Sequence, residues 1–273
     1  MKVLDTKFCK DYVTMADDGW QLGFHERNGG NFTYRLTDEE VASIQDDLTY
    51  DRPFTDIGTD VPALAGMFFM VTGSGKFFRW IKEKTAETCA VIEIDSTGTK
   101  YRVVWGFTEG GRPTSELPTH LMNHQVRMLA TGGKHRIIYH CHPVNIIAMT
   151  FVLPVTDAAF TKELWESMTE CPVIFPAGIG VVPWMVPGGR EIAVASAKKM
   201  EIYDAVIWAH HGLFCSGDTF DNVFGLAHCI EKSAEIYMKV RAASNEKVQT
   251  ITKQNFLDLA KEFGFTINED LLQ

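Results

Sequence analysis

Long apolar runs are missing from this chain of 273 residues. No stretch approaches the ~18 apolar residues of a membrane-spanning helix, which excludes an integral helical membrane protein. Nor does an apolar core of leader length follow Met1-Lys2-Val3-Leu4-Asp5, so a cytoplasmic location is expected. Positive charge is also scarce: 26 Lys and Arg stand against 35 Asp and Glu, a formal net charge of −9. With no overall positive field to hold a nucleic-acid backbone, neither nucleic acid nor membrane is an expected partner, and an anionic ligand would need a local site. The six cysteines (Cys9, Cys89, Cys141, Cys171, Cys215 and Cys229) form no CxxC pair and no tight framework, so reduced thiols are expected in a chain this long. Internal repeats and low-complexity segments are absent. What remains, 45% apolar and 22% charged residues, is the composition of an ordinary globular protein and not of a disordered, collagen-like or coiled-coil chain.

Strands and helices alternate irregularly along the sequence. Phe8, Tyr12, Met15, Ala16 and Trp20 give an amphipathic helix capped by Thr6 and ending before Asn28-Gly29-Gly30-Asn31. A strand over Phe32–Leu36 and a short acidic helix from Asp38 follow, then a turn-rich stretch from Tyr50 to Pro62. Met67–Val71 reads as a buried strand entering Thr72-Gly73-Ser74-Gly75-Lys76, and Ala90–Ile94 with Tyr101–Trp105 reads as a hairpin around Ser96-Thr97-Gly98. A helix from Ser115 to Leu129 stops at Gly132-Gly133. Ile137–His142 and Ala205–Ala209 are further buried strands, and Asp221–Arg241 and Thr252–Phe263 are helices, the latter stopped by Gly264. Hairpins mixed with longer crossovers predict an α/β fold of three αβα layers with a central mixed, largely antiparallel sheet. The chain is expected to form one domain over residues 1–273, with an N-terminal helical segment at about 1–27.

His140-Cys141-His142 ends an apolar strand, and side chains alternate along a strand, so both imidazoles project to one face while Cys141 points into the core. Such a pair is a ready clamp for a divalent transition metal, and a catalytic zinc usually takes three protein ligands. Taken alone, the same pair also fits two hydrogen-bonded strand histidines; the second cluster, His210-His211-Gly212 at the end of another buried strand, tips the reading towards metal. Only one of His210 and His211 can face the clamp. His120 and His124 form a rival pair at helical spacing, but Leu121 stands where a zincin helix needs its glutamate, so they are expected on a partly exposed helix face. Thr72–Lys76 resembles an anion cradle but is neither a Walker loop, since Phe77 follows Lys76, nor a dinucleotide fingerprint, since Phe78 stands in the third glycine position. Asn28–Asn31 fits an anion nest or a plain turn. Ser115 and Glu116 fit a helix entrance, and Glu170 fits either an acid/base or a paired surface group.

In order, Glu-Arg-Asn-Gly-Gly-Asn (26 to 31), Thr-Gly-Ser-Gly-Lys-Phe-Phe (72 to 78), Thr-Ser-Glu-Leu-Pro (114 to 118), His-Cys-His (140 to 142) and His-Gly (211 to 212) resemble the zinc-dependent class II sugar-phosphate aldolases. That family includes fuculose-1-phosphate aldolase and ribulose-5-phosphate 4-epimerase, and the resemblance spans nearly the whole chain. Trp105-Gly106, Leu164–Cys171 and Val182–Gly188 single out one branch of it. The resemblance implies one Zn2+ per subunit on His140, His142 and His211, with Glu116 as the acid/base beside the metal. It also implies a sugar phosphate held by Asn28, Asn31, Ser74, Gly75 and Ser115. In the family the site lies at a subunit boundary of a homotetramer, and the position of Glu170 reaches a neighbour's site as a second acid/base. The implied reaction is reversible retro-aldol cleavage to dihydroxyacetone phosphate and lactaldehyde. An epimerase on the same chemistry, and a non-catalytic assembly module like the adducin head, are the alternatives. His210 is a departure from the family pattern, so His211 is taken as ligand on the strength of the following Gly212.

Overall fold

The computed structural model describes residues 1–272. Its strands are β1 (Asn31–Arg35), β2 (Thr55–Asp56), β3 (Phe68–Thr72), β4 (Cys89–Ile94), β5 (Lys100–Gly106), β6 (Ile137–Cys141), β7 (Gly180–Val182), β8 (Ala205–Trp208) and β9 (Gly212–Gly217). They form one nine-stranded sheet in the order β2-β5-β4-β3-β1-β6-β9-β8-β7. Every neighbouring pair is antiparallel except β7 with β8. The expected mixed, largely antiparallel sheet is therefore present.

Period-two alternation sorts each strand between two helical layers. Ile137, Tyr139 and Cys141 of β6, with Ala205, Ile207, Leu213 and Cys215, face a large core shared with the helices Lys7–Gln21, Asp157–Ser167 and Phe220–Ala243. Ile138, Val206, Trp208 and Phe214 face the other way, onto the helix Arg190–Met200, and Phe69, Val71 and Ile92 meet Leu117 and Leu121 of the helix Leu117–Ala130 on that same side. Three αβα layers result.

Local chemistry explains the ends. Thr6 accepts from the Cys9 amide at 3.2 Å and caps the first helix. Thr37 and Glu40 form a reciprocal capping box on the acidic helix Asp38–Ile44. Gly264, at φ +70°, stops Lys253–Phe263 as expected. The helix expected from Ser115 begins at Leu117 instead, with Pro118 in its first turn and Glu116 at its cap position. The Glu116 side chain makes no cap, because it is held elsewhere by Asn31.

What matters for function is which ends coincide. Asn31 of β1 pairs with His140 of β6, and Thr33 pairs with Val71 of β3. Beyond β3, Gly73 bridges Pro113 and the Ser74 amide donates to the Arg112 carbonyl at 2.9 Å. The start of β1, the ends of β3 and β6, the start of β9 and the entrance to Leu117–Ala130 therefore share one edge of the sheet.

Candidate metal centre

His140 is fully buried at the end of β6, its ring stacked on Phe214 with centroids 4.1 Å apart. His142 lies one residue past the strand on the same face. His211 arrives from the β8–β9 connection, where His210 adopts φ +61° and the His211 amide donates to the Trp208 carbonyl at 3.0 Å. That turn sends the two adjacent histidines apart. His210 is held by Thr150, with both its amide and its Nδ1 3.1 Å from Thr150 Oγ1, and it packs against Phe151. The expectation that only one of the pair faces the clamp is met, and it is His211. Gly212 is needed here for space: a Cβ on it would lie 2.4 Å from the Cys141 carbonyl and 2.9 Å from the His142 ring.

The three histidines bring one nitrogen each to within 4.8 Å of one another. His140 Nε2 lies 3.2 Å from His142 Nε2 and 3.4 Å from His211 Nε2. The other nitrogens of two rings are fixed as donors: His140 Nδ1 donates to the Leu213 carbonyl at 3.1 Å, and His142 Nδ1 donates to Glu26 Oε1 at 2.7 Å. A neutral ring held in this way turns its bare Nε2 lone pair towards the other imidazoles, an arrangement that repels unless a cation lies between them. The spacing fits one, since tetrahedral nitrogen ligands at ~2.0–2.1 Å from zinc stand about 3.3 Å apart. Burial, reinforced by the neighbouring histidines, holds His140 well below the usual imidazole range, and burial with His142 lowers His211 to about 4, so both rings are neutral near pH 7. The donor set suits a divalent transition metal.

Glu116 is 6% exposed and places Oε2 3.6 Å from His140 Nε2. Its carboxylate accepts from Asn31 Nδ2 at 2.8 Å. Burial raises its pKa, while the Asn31 bond and His142 pull it down. It is the carboxyl group poised beside the imidazoles.

The remaining candidate residues divide. Asn28, Ser74, Gly75 and Ser115 lie on the loops at this same edge, with Asn28, Gly75 and Ser115 exposed and Ser74 half-buried. Gly75, at φ +71°, allows the Ser74–Lys76 turn. Asn31 sits among them, but its amide is committed to Glu116 and to His120. Glu170 is not brought near the histidines. It lines a cavity with His135, Asp204, Gly217 and Asp218, at the start of β6 and the end of β9. At ~3.4 Å per residue, the rise from His135 to His142 separates that cavity from the chain's own histidines by about 24 Å.

Two features escaped the sequence. Glu26, the hydrogen-bond partner that orients His142, lies 116 residues away and no spacing rule connects them. His120 and His124, expected on a partly exposed helix face, are buried at 0% and 1% exposure. Thr33 of β1 supplies the hydroxyl that lets both rings enter the core, 2.9 Å from His120 Nδ1 and 2.8 Å from His124 Nε2. Burial lowers His120 to about 3 and His124 well below the usual range, so both are neutral.

Comparison with known proteins agrees with this geometry. The class II aldolase and adducin N-terminal domain family matches residues 10–238. The chain belongs to that family, and it is a class II aldolase, a lyase. Its relatives are more particular. The rhamnulose-1-phosphate aldolase of Mannheimia succiniciproducens is 45% identical over 270 residues, 99% of each chain. The enzyme of the same name from Escherichia coli O139:H28 is 44% identical over 259 residues, 95% of this chain and 94% of the other. Among solved structures, a sugar-phosphate aldolase from Thermotoga maritima matches with a TM-score of 0.73 at 24% identity, over 88% of this chain and 97% of that one. An L-fuculose 1-phosphate aldolase matches at 0.59 and 18%, over 94% and 96%. At those identities the structures bear on the fold alone, and the three-layer arrangement is theirs too.

Proposed function

We propose that the chain catalyses the reversible, zinc-dependent cleavage of L-rhamnulose 1-phosphate between carbons 3 and 4, giving dihydroxyacetone phosphate and L-lactaldehyde in rhamnose breakdown. The observation that carries the chemistry is the convergence of three imidazole nitrogens beside the buried Glu116. The choice of sugar is supported by relatives of that name at 44–45% identity over nearly the full length.

His140, His142 and His211 would hold the metal, with Glu26 orienting His142. When bound, a divalent metal would supply a Lewis acid that stabilises the negative charge left on the substrate as the bond to carbon 4 breaks. Asn28, Ser74, Gly75 and Ser115 hold the phosphate at the loop edge, and the second N–H of Asn31 Nδ2, the one not given to Glu116, completes the set. Fixing the phosphate sets carbon 3 against Glu116, which returns a proton there after the bond to carbon 4 has broken. Glu170 takes the hydroxyl proton at carbon 4. It sits at the opposite end of its own sheet, and in the proposed homotetramer it serves a neighbouring subunit's site. Residues 1–273 act as a single class II aldolase domain. No helix among the described residues is long and apolar enough to cross a membrane, and we assign the enzyme to the cytoplasm.

Release of dihydroxyacetone phosphate from L-rhamnulose 1-phosphate, measured beside L-fuculose 1-phosphate, tests the substrate. Preference for the rhamnulose ester is expected. A preference for the fuculose ester, or release from neither, would overturn the assignment.

A further inference from the structure

Behind Glu116 lies a file of buried polar groups that no proton-transfer step touches. Asn31 Nδ2 is 2.8 Å from Glu116 Oε2. Asn31 Oδ1 faces His120 Nε2. His120 Nδ1 is 2.9 Å from Thr33 Oγ1, which is 2.8 Å from His124 Nε2. All five residues are buried, from 0% exposure at Thr33 and His120 to 8% at Asn31. Beyond the file the surroundings are aromatic, with Phe214 against His120 and Phe69 against His124.

The direction of every hydrogen bond follows from one end. A carboxylate only accepts, so Asn31 turns its NH2 to Glu116 and its carbonyl oxygen to His120. That oxygen also only accepts, so His120 carries its proton on Nε2. A neutral ring has one donor, so Nδ1 accepts from the Thr33 hydroxyl. Having spent its proton, Thr33 Oγ1 accepts from His124 Nε2–H. The opposite order would set the Asn31 oxygen against the Glu116 carboxylate.

We propose that His124, Thr33, His120 and Asn31 form a one-way hydrogen-bond chain that holds Glu116 in the orientation needed for proton transfer at carbon 3, with Thr33 and His120 as positioning residues. The inference rests on the reading of Glu116 as the group that moves that proton. Strand β1 and the helix Leu117–Ala130 supply alternate links: Asn31 and Thr33 lie two residues apart on one face of the strand, and His120 and His124 lie one turn apart on the helix. Registry between strand and helix is thereby read out at the carboxylate, because each donor is aimed by the one behind it. Breaking a middle link frees His120 to turn, releases the Asn31 amide, and lets Glu116 swing without changing the metal ligands.

The test compares Thr33→Val, which keeps the shape and removes the hydroxyl, with Thr33→Ser, which keeps the hydroxyl. Glu116→Gln serves as reference, all in the full-length, metal-loaded enzyme. Thr33→Val is expected to keep its metal content and a KM within about twofold while kcat and carbon 3 proton exchange fall about tenfold. Thr33→Ser is expected to restore both. An unchanged kcat in Thr33→Val, with only a lower melting temperature, would reduce Thr33 to a structural role and overturn the proposal. If Thr33→Val does not fold, 15N–1H correlation on the histidine-labelled wild-type enzyme decides: Nε2–H tautomers at His120 and His124 are expected, and Nδ1–H at His120 overturns the chain. The two readings separate cleanly. An active Glu116→Gln defeats the role of Glu116 itself, whereas an inactive Glu116→Gln beside a fully active Thr33→Val defeats only the chain.

Discussion

Glu116→Gln is expected to fold, to bind metal as the wild type does, and to lose roughly 10²–10⁴-fold in cleavage rate, the usual worth of a positioned general acid/base. The amide is nearly isosteric with the carboxyl group and its oxygen still accepts from Asn31 Nδ2, so the packing around the 6%-exposed side chain survives. What it cannot do is carry a proton to and from carbon 3. Exchange of solvent hydrogen into the hydroxymethyl carbon of dihydroxyacetone phosphate isolates that step, because it needs neither aldehyde nor carbon–carbon bond cleavage. Loss of exchange in a metal-loaded variant is the expected result. Normal exchange would remove Glu116 from the chemistry and leave its burial beside His140 without a purpose.

His142→Ala is expected to lose metal and activity together. The variant takes away one of three converging nitrogens and leaves Glu26 without its imidazole partner, so metal content per chain should fall well below one. Cleavage should drop by at least about 10³-fold, since a metal site of this kind supplies several kcal/mol of charge stabilisation. His210→Ala is the matching control. Its ring is turned onto Thr150 and Phe151, and the variant should keep both metal and activity despite lying next to His211. Unchanged metal content in His142→Ala would refute the ligand set.

These residues were unequally visible in the sequence. The strand ending in His140-Cys141-His142 was legible because alternation alone places two imidazoles on one face and a thiol on the other, and β6 does so. The long helices were legible for the same kind of reason, an apolar face repeated over many turns. Missed elements were short or glycine-flanked: β7 is three residues, Gly180–Val182, and β9 begins and ends in glycine. The extent of the helix Leu117–Ala130 was visible, but the burial of His120 and His124 was not. Burial of a polar ring depends on a hydroxyl waiting opposite it, and Thr33 lies 87 residues from His120. The link from Glu26 to His142 was hidden likewise. Such partners come together only when β1 pairs with β6 and packs against the helix Leu117–Ala130, so local spacing carries no trace of them. Family resemblance supplied the roles of Glu116 and Glu170, and the fold adds a physical reason for treating them differently: one lies against His140, the other at the far end of the sheet.

The decisive measurement is the cleavage of L-rhamnulose 1-phosphate as a function of bound metal. Wild-type enzyme stripped by a chelator should release no dihydroxyacetone phosphate. Activity should return linearly with added zinc and saturate at one ion per chain, the stoichiometry of a single three-histidine centre. Full activity in metal-free enzyme, or zinc bound at one per chain with no recovery of cleavage, would contradict the assignment of His140, His142 and His211 to the heart of the reaction.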